Sequence, residues 1–200
     1  MGMFFSNVHI KKNDNFDMQK LNEVIAAEFG KQGFEPDETG FISAAVYAPA
    51  DSDWVTVASS LLGISDPTGK ISPAEPFSAA FDTDVLAFTC VDSDFLFIGL
   101  VNSREKINAC AVVGQVYDME IPIETDFSAW EKKIKNIDAF KNTVKEDHVF
   151  AEEALTIFED EFDLPYDQAV FSENHFEDPD DVTELYFSGG KDMPFDIGMF

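Results

Sequence analysis

Apolar positions along this chain fall into strand-length runs and helical stripes, and their order predicts an α+β protein. Phe4, Phe5, Val8 and Ile10 mark a first strand over Met3 to Lys11, stopped by the turn-forming Asn13-Asp14-Asn15. Asp17 or Asn15 then caps a helix in which Phe16, Leu21, Val24, Ile25 and Phe29 recur near helical spacing, ended by Gly30 and Gly33. Further strands are predicted over Phe41 to Tyr47 and Trp54 to Leu62, and a second helix over Pro73 to Phe81. Strands over Val85 to Val91, Phe95 to Val101 and Ile107 to Val116 follow. The runs starting at Val85 and Phe95 are apolar at nearly every position, which predicts strands covered on both faces. Their short connections predict antiparallel pairing.

One phrase occurs twice, as Asp51-Ser52-Asp53-Trp54 and Asp92-Ser93-Asp94-Phe95, each time between two strand-like runs. Aligning the two copies pairs Tyr47 with Phe88, Trp54 with Phe95, Val55 with Leu96 and Val57 with Ile98. Because each copy follows a helix-like segment, the chain reads as a duplicated helix-strand-turn-strand unit, residues 16-62 and 73-101. Asp and Ser bond to nearby backbone amides in tight bends, so turn chemistry alone accounts for the phrase.

After Ile123 the period changes. Phe127, Trp130, Ile134, Ile137, Phe140 and Val144 carry a helical stripe interrupted near Asn136, with Lys132, Lys133, Lys135, Lys141 and Lys145 on the other side. A further amphipathic helix is predicted over Phe150 to Phe162, ended by Leu164-Pro165. Val182 to Phe187 reads as a short edge strand. The expected architecture is one α+β domain over residues 1-165, an antiparallel sheet packed by amphipathic helices, and an acidic C-terminal extension over 166-200.

Charge narrows the function classes. The 200 residues carry 39 acidic and 13 basic side chains, a formal net charge of -26. From Glu146 to the end there are 17 acids and one base, Lys191. Nucleic acid is thereby excluded as a direct partner, since phosphate contacts need clustered Lys and Arg. Phe150, Phe158, Phe162, Tyr166, Phe171, Phe176, Tyr186, Phe187 and Phe195 run through this acidic block, unlike a purely solvating tail. Cys90 and Cys110 lie in apolar runs and read as reduced thiols of a cytoplasmic protein. No run approaches the roughly 18 apolar residues that span a bilayer.

Candidate chemistry is sparse. The carboxylates Asp51, Asp53, Asp92 and Asp94 would suit a calcium or magnesium ion if the repeat brought them together. They would equally suit an acid-base pair of a hydrolase. Neither turn has the further acids and glycine of a calcium loop. His9, His148 and His175 are isolated, with no ligand-spaced partner, and a lone strand histidine such as His9 is usually a hydrogen-bonded structural residue. Phosphate loops and the Gly-x-Ser-x-Gly elbow are absent, and Arg104 is the only arginine. These absences predict a non-enzymatic protein with no cofactor.

The segments Met3-Phe4-Phe5-Ser6-Asn7-Val8-His9-Ile10, Asp51-Ser52-Asp53-Trp54-Val55-Thr56-Val57 and Asp84 to Phe97 resemble those of small uncharacterised bacterial proteins of the polymorphic-toxin immunity type. The resemblance spans about the first 150 residues. It implies a cytoplasmic protein that acts by binding, and it transfers no functional residue. The expected function is neutralisation or regulation of a basic protein partner, with Trp54, Glu159, Asp160, Glu161 and Tyr166 as candidate contacts. Alternative expectations are a divalent-metal module or hydrolase at the twin turns, and a structural or assembly protein that forms a homodimer.

Overall fold

The computed structural model describes residues 2-64, 73-114, 125-173 and 181-190. Eight strands form one antiparallel sheet: β1 (Phe5–Lys11), β2 (Phe34–Pro36), β3 (Ile42–Tyr47), β4 (Trp54–Ala58), β5 (Val85–Val91), β6 (Phe95–Asn102), β7 (Ile107–Gly114) and β8 (Val182–Gly189). Their spatial order is β2-β8-β3-β4-β1-β5-β6-β7. Six helices lie among the described residues: α1 (Met18–Lys31), α2 (Glu75–Phe81), α3 (Phe127–Trp130), α4 (Ile137–Lys145), α5 (Ile157–Phe162) and α6 (Tyr166–Ala169). Turns of 3-10 helix cover Ser60–Leu62 and Ala151–Thr156. The strand predicted to reach Val116 is described as far as Gly114, and His175, Phe176, Lys191 and Phe195 lie outside the described residues.

Side-chain alternation divides the sheet between two cores. Val8, Ile10, Val55, Val57, Val85 and Ala87 pack against Leu21, Ile25 and Phe29 of α1 and Phe77 and Phe81 of α2. Leu86, Phe88, Leu96, Ile98 and Leu100 face the other way, against Trp130, Phe140, Leu155, Phe158 and Phe162 of the C-terminal helices. A strand between two helical layers needs apolar side chains on both faces, hence the unbroken runs in β5 and β6. Local chemistry sets the helix starts: the Asp17 side chain accepts from Lys20 N at 2.8 Å, and that of Asn136 from Ala139 N at 3.1 Å. Asn136 therefore begins α4 where the stripe was interrupted.

Two expectations change. Val182–Gly189 is an interior strand, not an edge, because it bonds to β3 on one side and to β2 on the other. The true outer strand there is Phe34–Pro36, too short and proline-bearing to register as one. Residues 166-190 are accordingly built into the domain where described: Gln168, Ala169, Phe171 and Phe187 are buried. Among the described residues, no helix is long and apolar enough to cross a membrane.

Candidate functional site

The two Asp-Ser-Asp turns share one arrangement, with the serine buried and both aspartates exposed. Ser52 Oγ donates to Gln168 Oε1 at 2.7 Å and accepts from Trp54 N at 3.1 Å. Ser93 Oγ donates to Glu152 Oε1 at 2.8 Å and accepts from Met3 N at 2.7 Å. Each serine thus anchors a hairpin end to the C-terminal helical layer. In the second turn Asp92 and Ser93 both have positive φ, 52° and 57°, and Asp94 N donates to Val91 O at 3.0 Å. That is the mirror-image turn favoured between twisted strands.

The turns sit at opposite ends of β1. Lys12 N donates to Asp53 O at 2.7 Å, whereas Ser93 N donates to Met3 O at 3.1 Å. The nine steps of chain from Met3 to Lys12 span roughly 30 Å at strand rise. Asp51 and Asp53 therefore cannot share an ion or a proton with Asp92 and Asp94, which overturns the reading of the four as one metal or acid-base site. Among the described residues, no group of three or more His, Cys, Asp or Glu side chains is placed to hold a metal.

Between β1, β4 and α6 lies a buried polar chain whose donors and acceptors can be assigned in order. Both amide protons of Asn7 are given away, to Ala169 O at 2.9 Å and Phe171 O at 2.8 Å, so Asn7 Oδ1 accepts from His9 Nε2 at 2.8 Å. His9 Nδ1 then accepts from the Thr56 hydroxyl at 2.8 Å. Thr56 Oγ1 in turn accepts from Gln168 Nε2 at 3.1 Å, which also reaches Trp54 O at 3.1 Å. Ser52 closes the chain at Gln168 Oε1. Burial pushes the His9 imidazole down to about 3, so it stays neutral. Asn7 and Gln168 escaped the sequence reading; the available signal was polar residues at 7 and 9 on the same face of β1 as Phe5.

A second buried group underlies the other turn. Glu152 is 5% exposed, and its Oε2 lies 3.6 Å from Cys90 Sγ. Burial, and then the negative charge of Glu152, push the Cys90 thiol up to about 12; burial does the same to Cys110. A thiol held protonated is a poor nucleophile. Both cysteines are free and lie on β5 and β7, separated by β6.

Two of the five proposed partner contacts are interior residues. Trp54 is fully buried and its indole donates to Phe162 O at 3.0 Å. Glu161, 6% exposed, accepts from Lys135 N at 2.5 Å and Asn136 N at 3.1 Å, capping the start of α4. Both are corrected to structural roles. Tyr166 is half-buried, and burial, then Glu152, raise its phenol. Glu159 and Asp160 are exposed, Glu159 accepting from Tyr166 N at 2.8 Å. Likewise Phe158, Phe162, Phe171 and Phe187, read as interleaving the acids, are buried.

Acid dominates the outer surface of the C-terminal layer. Glu146, Asp147, Glu153, Glu159, Asp160, Asp163 and Asp167 are exposed, and no Lys or Arg occurs between Glu146 and Gly190. Many cations elsewhere are held internally. Lys133 bridges Asp84 at 2.9 Å and Glu105 at 2.6 Å, Lys141 pairs with Glu131 at 2.9 Å, and Lys135 Nζ donates to Asp160 O at 3.1 Å. No family model matches this chain, and no curated protein or solved structure is significantly similar to it.

Proposed function

We propose that this protein binds a basic protein partner through the acidic surface of its C-terminal helical layer, neutralising or regulating that partner without chemistry of its own. One observation carries the reading: exposed carboxylates from Glu146 to Asp167 lie on the C-terminal helices and the segments joining them, in a stretch that contains no Lys or Arg. Complementary fields of this kind speed association and select partners by charge. An inhibitor of the toxin-immunity type, acting in the cytoplasm, is the specific form of this reading; it rests on the resemblance of the first 150 residues, and the free thiols are compatible with a reducing compartment.

The test uses the whole protein and its triple variant Glu159→Lys, Asp160→Lys, Asp163→Lys, each immobilised and exposed to extract of the native cells at low salt. A basic protein retained by the wild type, released at high salt and missed by the variant is the expected result. Equal retention by both proteins, or no basic protein on either, would overturn the proposal.

A further inference from the structure

The two edges of the sheet are finished differently. An open edge offers a row of unpaired backbone donors and acceptors, and folded proteins blunt it with short strands, charged side chains, proline or bulges. At one edge β2 has three residues, two of them Glu35 and Pro36. At the other stands β7, Ile107–Gly114, eight residues with neither a charge nor a proline. Its register with β6 runs unbroken from Ile107 opposite Asn102 to Gly114 opposite Phe95, so no bulge twists it away. Among the described residues, no strand pairs with its outer side.

Packing holds β7 ready for pairing. Ile107, Ala109, Ala111 and Val113 are buried in the core shared with Trp130 and Phe140, while Cys110 and Val112 pack on the opposite core. Both faces of the strand are thereby fixed, and alternate residues turn N–H and C=O sideways, away from β6. The direction left uncovered is the hydrogen-bonding one.

Charge selects the occupant. Helices α3 and α4 pack against β7 and carry the lysine stripe. Residues 103-114 and 126-145 together hold seven bases and four acids, in a chain whose formal net charge is -26. A basic partner finds its carboxylates elsewhere, whereas an acidic chain is repelled least on this side. A second copy of this chain is such a molecule, and it brings an identical uncharged strand. Antiparallel pairing about a twofold axis lets the outward donors of each copy meet the acceptors of the other.

We infer that two copies join edge to edge through β7, antiparallel, to form one sheet continuous across a homodimer. The inference is independent of the acidic-binder reading, which concerns the C-terminal layer.

Sedimentation of the full chain from about 5 to 500 µM should show a monomer passing to a dimer. Raising salt from about 0.02 to 0.5 M should strengthen this association by screening like net charges, the opposite of its effect on binding a basic partner. Deuterium exchange of alternate amides between Ala109 and Gly114 should slow at the higher protein concentration, with exchange in β2 unchanged. Val112→Lys places a charge on the edge strand and should weaken dimerisation about tenfold or more, while Val112→Thr, which keeps the branched shape, should preserve it. A monomer at every concentration, exchange in β7 independent of concentration, or undiminished dimerisation of folded Val112→Lys would overturn the inference and leave the acidic-binder reading standing. Should Val112→Lys fail to fold, the exchange measured on the wild type decides.

Discussion

Protonating His9 would break the order of the buried polar chain, because Nδ1 already accepts the Thr56 hydroxyl proton and has no second acceptor to address. With its folded value depressed to about 3 from an ordinary 6.5, the unfolded state takes up a proton first as pH falls. Stability from this group is thus complete above pH 6.5 and lost progressively between 6.5 and 3. At pH 5 the loss is about 2 kcal/mol. Urea unfolding of the wild type and of His9→Gln, which cannot titrate, should show their stability difference shrinking by that amount from pH 7 to pH 5; a constant difference would contradict the assignment. Gln168→Leu removes the partner of Ser52, Thr56 and Trp54 O together, and should cost about 2 to 4 kcal/mol in the same measurement. His9 was legible from sequence as a structural histidine. Its partners were not, because Gln168 is brought to it by a fold that joins the two ends of the chain.

The duplicated phrase shows how an element can repeat in sequence and diverge in space. Tyr47 pairs across its hairpin with Thr56, yet the equivalent Phe88 pairs with Ile98 and not with Phe97. A one-residue change of register turns every following side chain to the opposite face. Val55 and Val57 therefore face α1 and α2, while their counterparts Leu96 and Ile98 face the C-terminal helices. Both hairpins and their helices were readable from periodicity; the register was not, since strands covered on both faces give no polar side to fix it. The shorter turn depends on Gly114, whose φ is +86° and where an added Cβ would sit 2.1 Å from Asp94 O. Gly114→Ala should lower stability by about 1 to 3 kcal/mol, with the lost amide protection concentrated in β6 and β7. Unchanged protection there would show that the strands tolerate a shift at the turn.

At the scale of the whole molecule, a net charge of -26 on a closed fold means that acids repel one another in the native state more than in the expanded chain. Added salt screens that repulsion, so the thermal midpoint should rise by several degrees between about 0.02 and 0.5 M sodium chloride. A midpoint that falls would mean that pairs such as Lys133 with Asp84 and Glu105 outweigh the repulsion. Binding of the proposed basic partner should respond in the opposite sense, because screening weakens attraction between opposite charges. Composition alone announced the acidic block; only the fold separates its buried members, Glu152 and Glu161, from its exposed ones. The most direct test is calorimetric titration of the retained basic partner into the protein at about 0.05 and 0.3 M salt, a range over which exposed charges become screened. The account predicts one-to-one binding that weakens about tenfold or more at the higher salt. Affinity independent of salt would contradict it.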